Sequence, residues 1–196
     1  MVLQYSECTS EFFDWMEAQM KTKGHKFAKR SPMTQSQIIE AEQRYGIVIP
    51  DDFKRFLQHP ISTCDVFYNY SAPSGSADAT KITNALKAFQ EGIEFDIEHN
   101  NLWEGEQWGP KPSDLQERLQ VFRSAYATVV KLIPIYGHRA LVSNFHTSIV
   151  LSVHQTDIIV YGYNLAVYLQ HEFLRDDLSI EYHDAVGDCY STVVPQ

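Results

Sequence analysis

The amino-acid sequence predicts an α+β protein built as a single domain, and three observations carry this. Capped amphipathic helical patterns dominate the first two thirds of the 196 residues, four short apolar runs crowd between Leu132 and Tyr161, and a further capped helix follows them. A chain of this length lies at the upper end of the usual ~100–200 residues of one domain, enough for one well-buried core. Residues 1–33 read as an N-terminal helix and basic linker ahead of a domain spanning 34–196.

The first helix follows Ser10, with Phe12, Phe13, Met16 and Met20 on one stripe, Glu11 in its first turn, and Lys21, Lys23 and Gly24 at its exit. The basic run Gly24 to Pro32 reads as a solvated connector. Thr34 and Gln37 stand at capping-box spacing, and Ile38, Ala41, Glu42 and Tyr45 share a face before Gly46 ends that helix. Pro50 is placed where proline starts a helix, Asp51 and Asp52 suit its positive end, and Phe53, Phe56 and Leu57 form its stripe.

The loop Ser71-Ala72-Pro73-Ser74-Gly75-Ser76-Ala77 is small and polar, and the expectation is that it does not pack and stays mobile. A helix is expected from Thr80 through Ile82, Leu86 and Phe89 to a stop at Gly92. The strict alternation Ile93-Glu94-Phe95-Asp96-Ile97 then predicts a half-buried strand. Residues 98–110 have no period and read as a loop carrying Trp103 and Trp108. Ser113 and Gln116 make another capping box, opening a long helix with Leu115, Leu119, Phe122, Tyr126, Val129 and Val130. Strands follow at residues 132–136, 140–142, 149–153 and 158–161, the last two close enough for a hairpin, and Asn164 caps a helix with Leu165, Tyr168, Leu169 and Phe173. Ile180, Tyr182, Val193 and Val194 are candidates for an added edge strand.

Twenty-five acidic residues against 16 basic ones give a net charge of −9, so the average surface repels phosphate and nucleic acid is not the expected partner. A basic protein suits it better. Three cysteines, Cys8, Cys64 and Cys189, are too few and wrongly spaced for a disulfide framework or zinc knuckle and point to the cytoplasm. The N-terminus lacks the features of a secretory signal, and no apolar run approaches the ~20 residues of a membrane span.

The run Ile39-Glu40-Ala41-Glu42-Gln43-Arg44-Tyr45-Gly46-Ile47-Val48-Ile49-Pro50-Asp51-Asp52-Phe53-Lys54-Arg55-Phe56-Leu57 resembles the opening motif of the SUKH superfamily. Leu132-Ile133-Pro134-Ile135 and the run from Asp157 to Leu169 are similar to its later part. Residues 95–103, Trp108-Gly109-Pro110-Lys111-Pro112 and Tyr136-Gly137-His138-Arg139 look like a bacterial branch of its Smi/Knr-type group. The resemblance covers roughly residues 34–175 and implies a curved antiparallel sheet flanked by helices, protein binding as the mode of action, and no shared catalytic set or cofactor. Its matched residues Glu42, Gly46, Pro50, Phe53, Pro134, Asn164 and Leu165 read as structural. The expected role is an immunity protein that neutralises a toxin such as a nuclease domain, with a regulatory scaffold of the cell-wall type as the alternative. The N-terminal helix, its linker and the Ser/Gly/Ala loop fall outside the common motif.

His138, His146 and His154, with Asp157 nearby, would serve a metal-dependent hydrolase, but their spacing follows no ligand rule and surface histidines are the simpler reading. Asp96 and Glu98 share one side of the expected strand and its continuation, where a general acid/base pair competes with a plain solvent face. No nucleophile motif or phosphate-binding loop occurs. The expected partner-binding residues are Trp103 and Trp108 with Glu104 and Glu106, extended by Tyr68, Tyr70, Asp96 and Glu98; tryptophans folded back as lids on the core are the competing reading.

Overall fold

The computed structural model describes residues 5–143 and 148–174. Helix α1 (Ser10–Thr22) is capped one residue earlier than expected, by Thr9, whose hydroxyl accepts the Phe12 amide at 3.1 Å. Its stripe of Phe12, Phe13, Met16 and Met20 is fully buried in the main core. Helix α2 (Gln35–Tyr45) carries the complete Thr34/Gln37 capping box, and Gly46 ends it in the left-handed region at φ 61°, where a side chain would be strained. Helix α3 (Asp51–Leu57) starts from Pro50 at φ −59° and buries Phe53, Phe56 and Leu57. The basic connector is not free in solvent. Phe27 bridges to Cys64, and the Arg30 guanidinium donates to Asn69 Oδ1 at 2.7 Å and Ser62 O at 2.8 Å, beside a 3-10 turn at Pro60–Thr63.

Helix α4 (Ala77–His99) is the main departure from expectation. Twenty-three residues form one helix, so Gly92 is no stop and residues 93–97 are no strand. Ser76 caps it by accepting the Ala79 amide, and Ala72 is buried with its carbonyl held by Arg44, so the loop expected to be mobile is packed at both places. Residues 98–110 contain a one-turn helix, α5 (Gly105–Trp108), in place of an uninterrupted loop. Helix α6 (Leu115–Tyr126) is capped by Asp114, one residue beyond the expected Ser113, and ends before Val129 and Val130.

Four strands, β1 (Leu132–Tyr136), β2 (Arg139–Val142), β3 (Val150–His154) and β4 (Asp157–Gly162), make an antiparallel sheet in sequence order, open at both edges and not closed into a barrel. The β3–β4 turn needs only Gln155 and Thr156, with Gln155 at φ 55°. Pro134 sits within edge strand β1, which tolerates the missing N–H, and its carbonyl accepts the Tyr70 hydroxyl at 2.7 Å. Helix α7 (Leu165–Leu174) closes the described chain, with Asn164 Oδ1 accepting the Val167 amide at 2.9 Å.

Alternation along the strands gives the sheet two buried faces. Ile133, Ile135, Leu141 and Val150 point into the main core with α1, α3 and α7. Leu132, Ala140, Val142, Leu151, Val153 and Val160 form a second layer packed by Phe89 of α4. A third, small core of Ile97, Leu119 and Phe122 joins α4 to α6. Helix α6 packs on α4 and α5, so α4 ties this helical projection to the sheet. The tail residues proposed for an edge strand, and also His146 and Cys189, lie outside the described residues.

Candidate functional site

The C-terminal half of α4 divides into three faces. Toward the β3–β4 hairpin lie Gly92, so close that an added Cβ would meet Gln155 Cα at 2.9 Å, and Asp96, buried at 4% exposure. Asp96 Oδ2 accepts Thr156 Oγ1 at 2.6 Å and the Thr156 amide at 3.1 Å, and Oδ1 accepts Asn100 Nδ2 at 2.6 Å. Burial pushes its pKa up, but the hydrogen bonds from Thr156 and Asn100 outweigh this and leave it below the ordinary carboxylate value. Toward α6 lie Ile93 and Ile97, and Glu94 takes a bidentate grip from Arg123 at 3.0 and 2.7 Å. The third face carries Phe95, 44% exposed, with the His99 ring stacked on it at 4.2 Å, and exposed Glu98 beside them.

Beyond α4, Asn101 turns the chain at φ 58° and is held by Lys111. Trp103 donates its indole N–H to Gly109 O at 2.9 Å and meets Trp108 edge-on at 5.2 Å; Trp108 in turn meets Phe122 edge-on at 5.4 Å. Trp108 is thus a half-buried lid over the small core and half-buried Trp103 packs edge-on against it, while Glu104 and Glu106 are exposed around them. From the last turns of α4 through α6, residues 91–126 hold eight carboxylates against Lys111, Arg118 and Arg123, a net of −5 against −9 for the whole chain. The projection therefore carries a large share of this protein's negative charge.

The residues expected to bind a partner separate under this geometry. Glu98, Trp103, Glu104, Glu106 and Trp108 lie on the projection. Asp96 belongs to it in sequence but not to its surface: it is an internal tie, and it shares a helix with Glu98, not one side of a strand, so no acid/base pair forms between them. Tyr70 is buried at 2% with burial driving its pKa well up, an internal strut that no rigid partner reaches. Tyr68 is half-buried elsewhere, in a polar cleft of about 510 Å³ with Arg30, Asp78 and Lys81, its hydroxyl donating to Gly137 O at 3.3 Å. Asp78 is held below its ordinary pKa by hydrogen bonds from Asn69 and then Lys81.

Glu42 Oε1 accepts the Ile49 amide at 2.8 Å and lies 3.4 Å from Lys54 Nζ, tying α2 to the start of α3; Phe53 stacks on Phe56 at 5.5 Å; Leu165 is fully buried. Among the described residues no three His, Cys, Asp or Glu side chains gather as metal ligands. His138 sits beside Arg139, and burial followed by that charge lowers its pKa; His154 and Asp157 are exposed at the hairpin. Cys8 and Cys64 are buried thiols, and burial, then the nearby Asp52, pushes Cys8 up to about 12, which makes it a poor nucleophile.

Sequence reasoning missed three features. Asp52, buried at 6%, accepts the Phe53 amide, the Ser148 amide at 3.0 Å and the Ser148 hydroxyl, pinning α3 to the approach to β3. Arg139 lies over the Tyr161 ring at 3.6 Å while bonding Glu172 and Ser152, locking the sheet to α7. No local pattern announces either. The Phe95/His99 stack did leave a signal, their i, i+4 spacing, but the alternation around it hid the helix. No helix among the described residues is long and apolar enough to cross a membrane. Compared with known proteins, the chain matches no family model, no curated protein and no solved structure.

Proposed function

We propose that this protein acts by binding another protein through the α4–α6 projection, and that the partner is a toxin domain with a basic face, neutralised by being covered. The observation that carries the reading is the coincidence on one projection of exposed Glu98, Glu104 and Glu106, the half-buried rings of Trp103 and Trp108, and the exposed Phe95/His99 stack. Aromatic anchors ringed by charge are what a specific interface uses: the rings exclude water at the centre, and the carboxylates steer a cationic partner in and reject an anionic one. The similarity of residues 34–175 to SUKH proteins supports a toxin as that partner, on resemblance alone.

The test mixes the purified chain with toxin domains encoded beside its gene, nucleases first. The expected result is a one-to-one complex whose association slows steeply as salt rises, and protection of cells expressing the toxin. Reversing three charges, Glu98→Lys, Glu104→Lys and Glu106→Lys together, should slow association by ~10-fold or more while the chain stays folded. Failure to bind or protect against any of these toxins would remove the toxin assignment, and tight binding untouched by the triple variant would remove the projection as its surface.

A further inference from the structure

A crevice of about 270 Å³ opens where the projection meets the body, between the end of α2, the middle of α4, the end of α6 and the start of β1. Its apolar lining comes from Leu86, Phe89, Tyr126 and Leu132, and the charged side chains that line it are all cationic: Arg44, Lys87 and Lys131. In a chain of net charge −9 this is a local inversion of sign. The cations have separate origins, which argues against a single solvated helix face. Arg44 is fixed by bonds to Ala72 O at 2.6 Å and to Glu40 at 2.7 Å. Lys131 reaches the negative end of α2, its Nζ 3.1 Å from where a Cβ at Gly46 would stand. Lys87 comes from α4. Tyr45, on the same wall, adds an enclosed hydroxyl that lies against the Arg44 guanidinium without a hydrogen bond of regular geometry.

We propose that this crevice binds a small amphipathic anion: a flat apolar body seated on Phe89, Tyr126 and Leu132, bearing one carboxylate held by Lys87, Lys131 and Arg44. Buried apolar area supplies affinity, and cations lining the crevice from α2, α4 and the approach to β1 select charge. This site stands independently of the protein-binding reading. Occupancy joins α2, α4, α6 and β1, so it stabilises the folded chain.

The probe is 2-naphthoate, titrated into the full chain and followed by NMR shifts and thermal midpoint, with 2-naphthamide as the same body without charge and inorganic phosphate as charge without the body. Naphthoate is expected to saturate with Kd ~0.1–1 mM, as its size allows, and to shift resonances of Tyr45, Phe89 and Tyr126 while raising the midpoint. The amide and phosphate should each bind at least ~10-fold more weakly. The double variant Lys87→Gln/Lys131→Gln should lose ~10-fold in naphthoate affinity and nothing in amide affinity. Thr83→Trp, at an exposed lining position, should block the crevice and abolish binding if the double variant does not fold. Equal affinity for acid and amide, shifts that map elsewhere, naphthoate binding that survives both variants, or no saturation by about 10 mM would each overturn the proposal.

Discussion

In the body of the molecule, rings meet rings: Phe56 contacts Phe13, Phe53 and Phe67 at centroid distances of 5.0–5.9 Å, and Phe67 continues through Phe173 to Tyr168. From Gly92 to the end of α6 the projection buries only Ile97, Leu119 and Phe122 among its apolar side chains, and polar ties do much of the joining, Asp96 to the hairpin and Glu94 to Arg123. The difference teaches that stability and the proposed recognition surface are held in different parts of the molecule. Dispersion and apolar burial hold the body, whereas the projection has a thin core, a net charge of −5 that repels itself, and the surface proposed for recognition. Regions with few buried apolar contacts open locally at lower free energy than the core does.

The comparison can be broken from the body side first. Phe56→Ala removes the ring at the centre of that cluster and is expected to cost ~3–5 kcal/mol in urea unfolding, with every probe moving together. A loss below ~1.5 kcal/mol would mean the body is not the stability centre. Asp96→Ala strips the tie between projection and hairpin, with an expected cost of ~1–3 kcal/mol. Hydrogen exchange should show the loss at Thr156 and along α4 and α6 before β1 and β2. Because the folded pKa of Asp96 lies below its unfolded value, its contribution is present above the ordinary carboxylate pKa and fades as pH falls through the lowered one. The variant should therefore show a shallower loss of stability on acidification, and an unchanged acid profile would deny Asp96 this role.

Gly92→Ala sets two effects against each other. Helix propensity favours alanine by ~1 kcal/mol, but the 2.9 Å approach of Gln155 Cα is backbone and yields little, at a cost of ~1–3 kcal/mol. A net loss of ~1 kcal/mol is expected; a gain would show that the hairpin moves aside and that the junction yields. The smallest effect on stability belongs to Glu98→Gln, Glu104→Gln and Glu106→Gln combined, within ~0.5 kcal/mol of the parent. Any change should favour the variant by easing self-repulsion. A marked destabilisation would show these carboxylates to be structural and weaken their assignment to recognition.

Local chemistry decided much of this protein at the level of sequence. Thr34 with Gln37, Gly46, Pro50 and Asn164 act where they stand because caps and turns need only backbone groups a few residues away. The alternating strands after Leu132 were legible for the same reason, and so were the acidic side chains that form the candidate surface. Residues 93–97 were not, since Ile93 and Ile97 satisfy both a strand's period of two and a helix's spacing of four. Only the arrival of α6 on one side and the β3–β4 hairpin on the other chose the helix, leaving Phe95 outside and drawing Asp96 in. Tyr70 likewise became a strut only because Pro134, 64 residues away, offers it a buried carbonyl. Burial and long-range pairing depend on which surfaces meet, and that is a property of the packed molecule, not of any local run of residues.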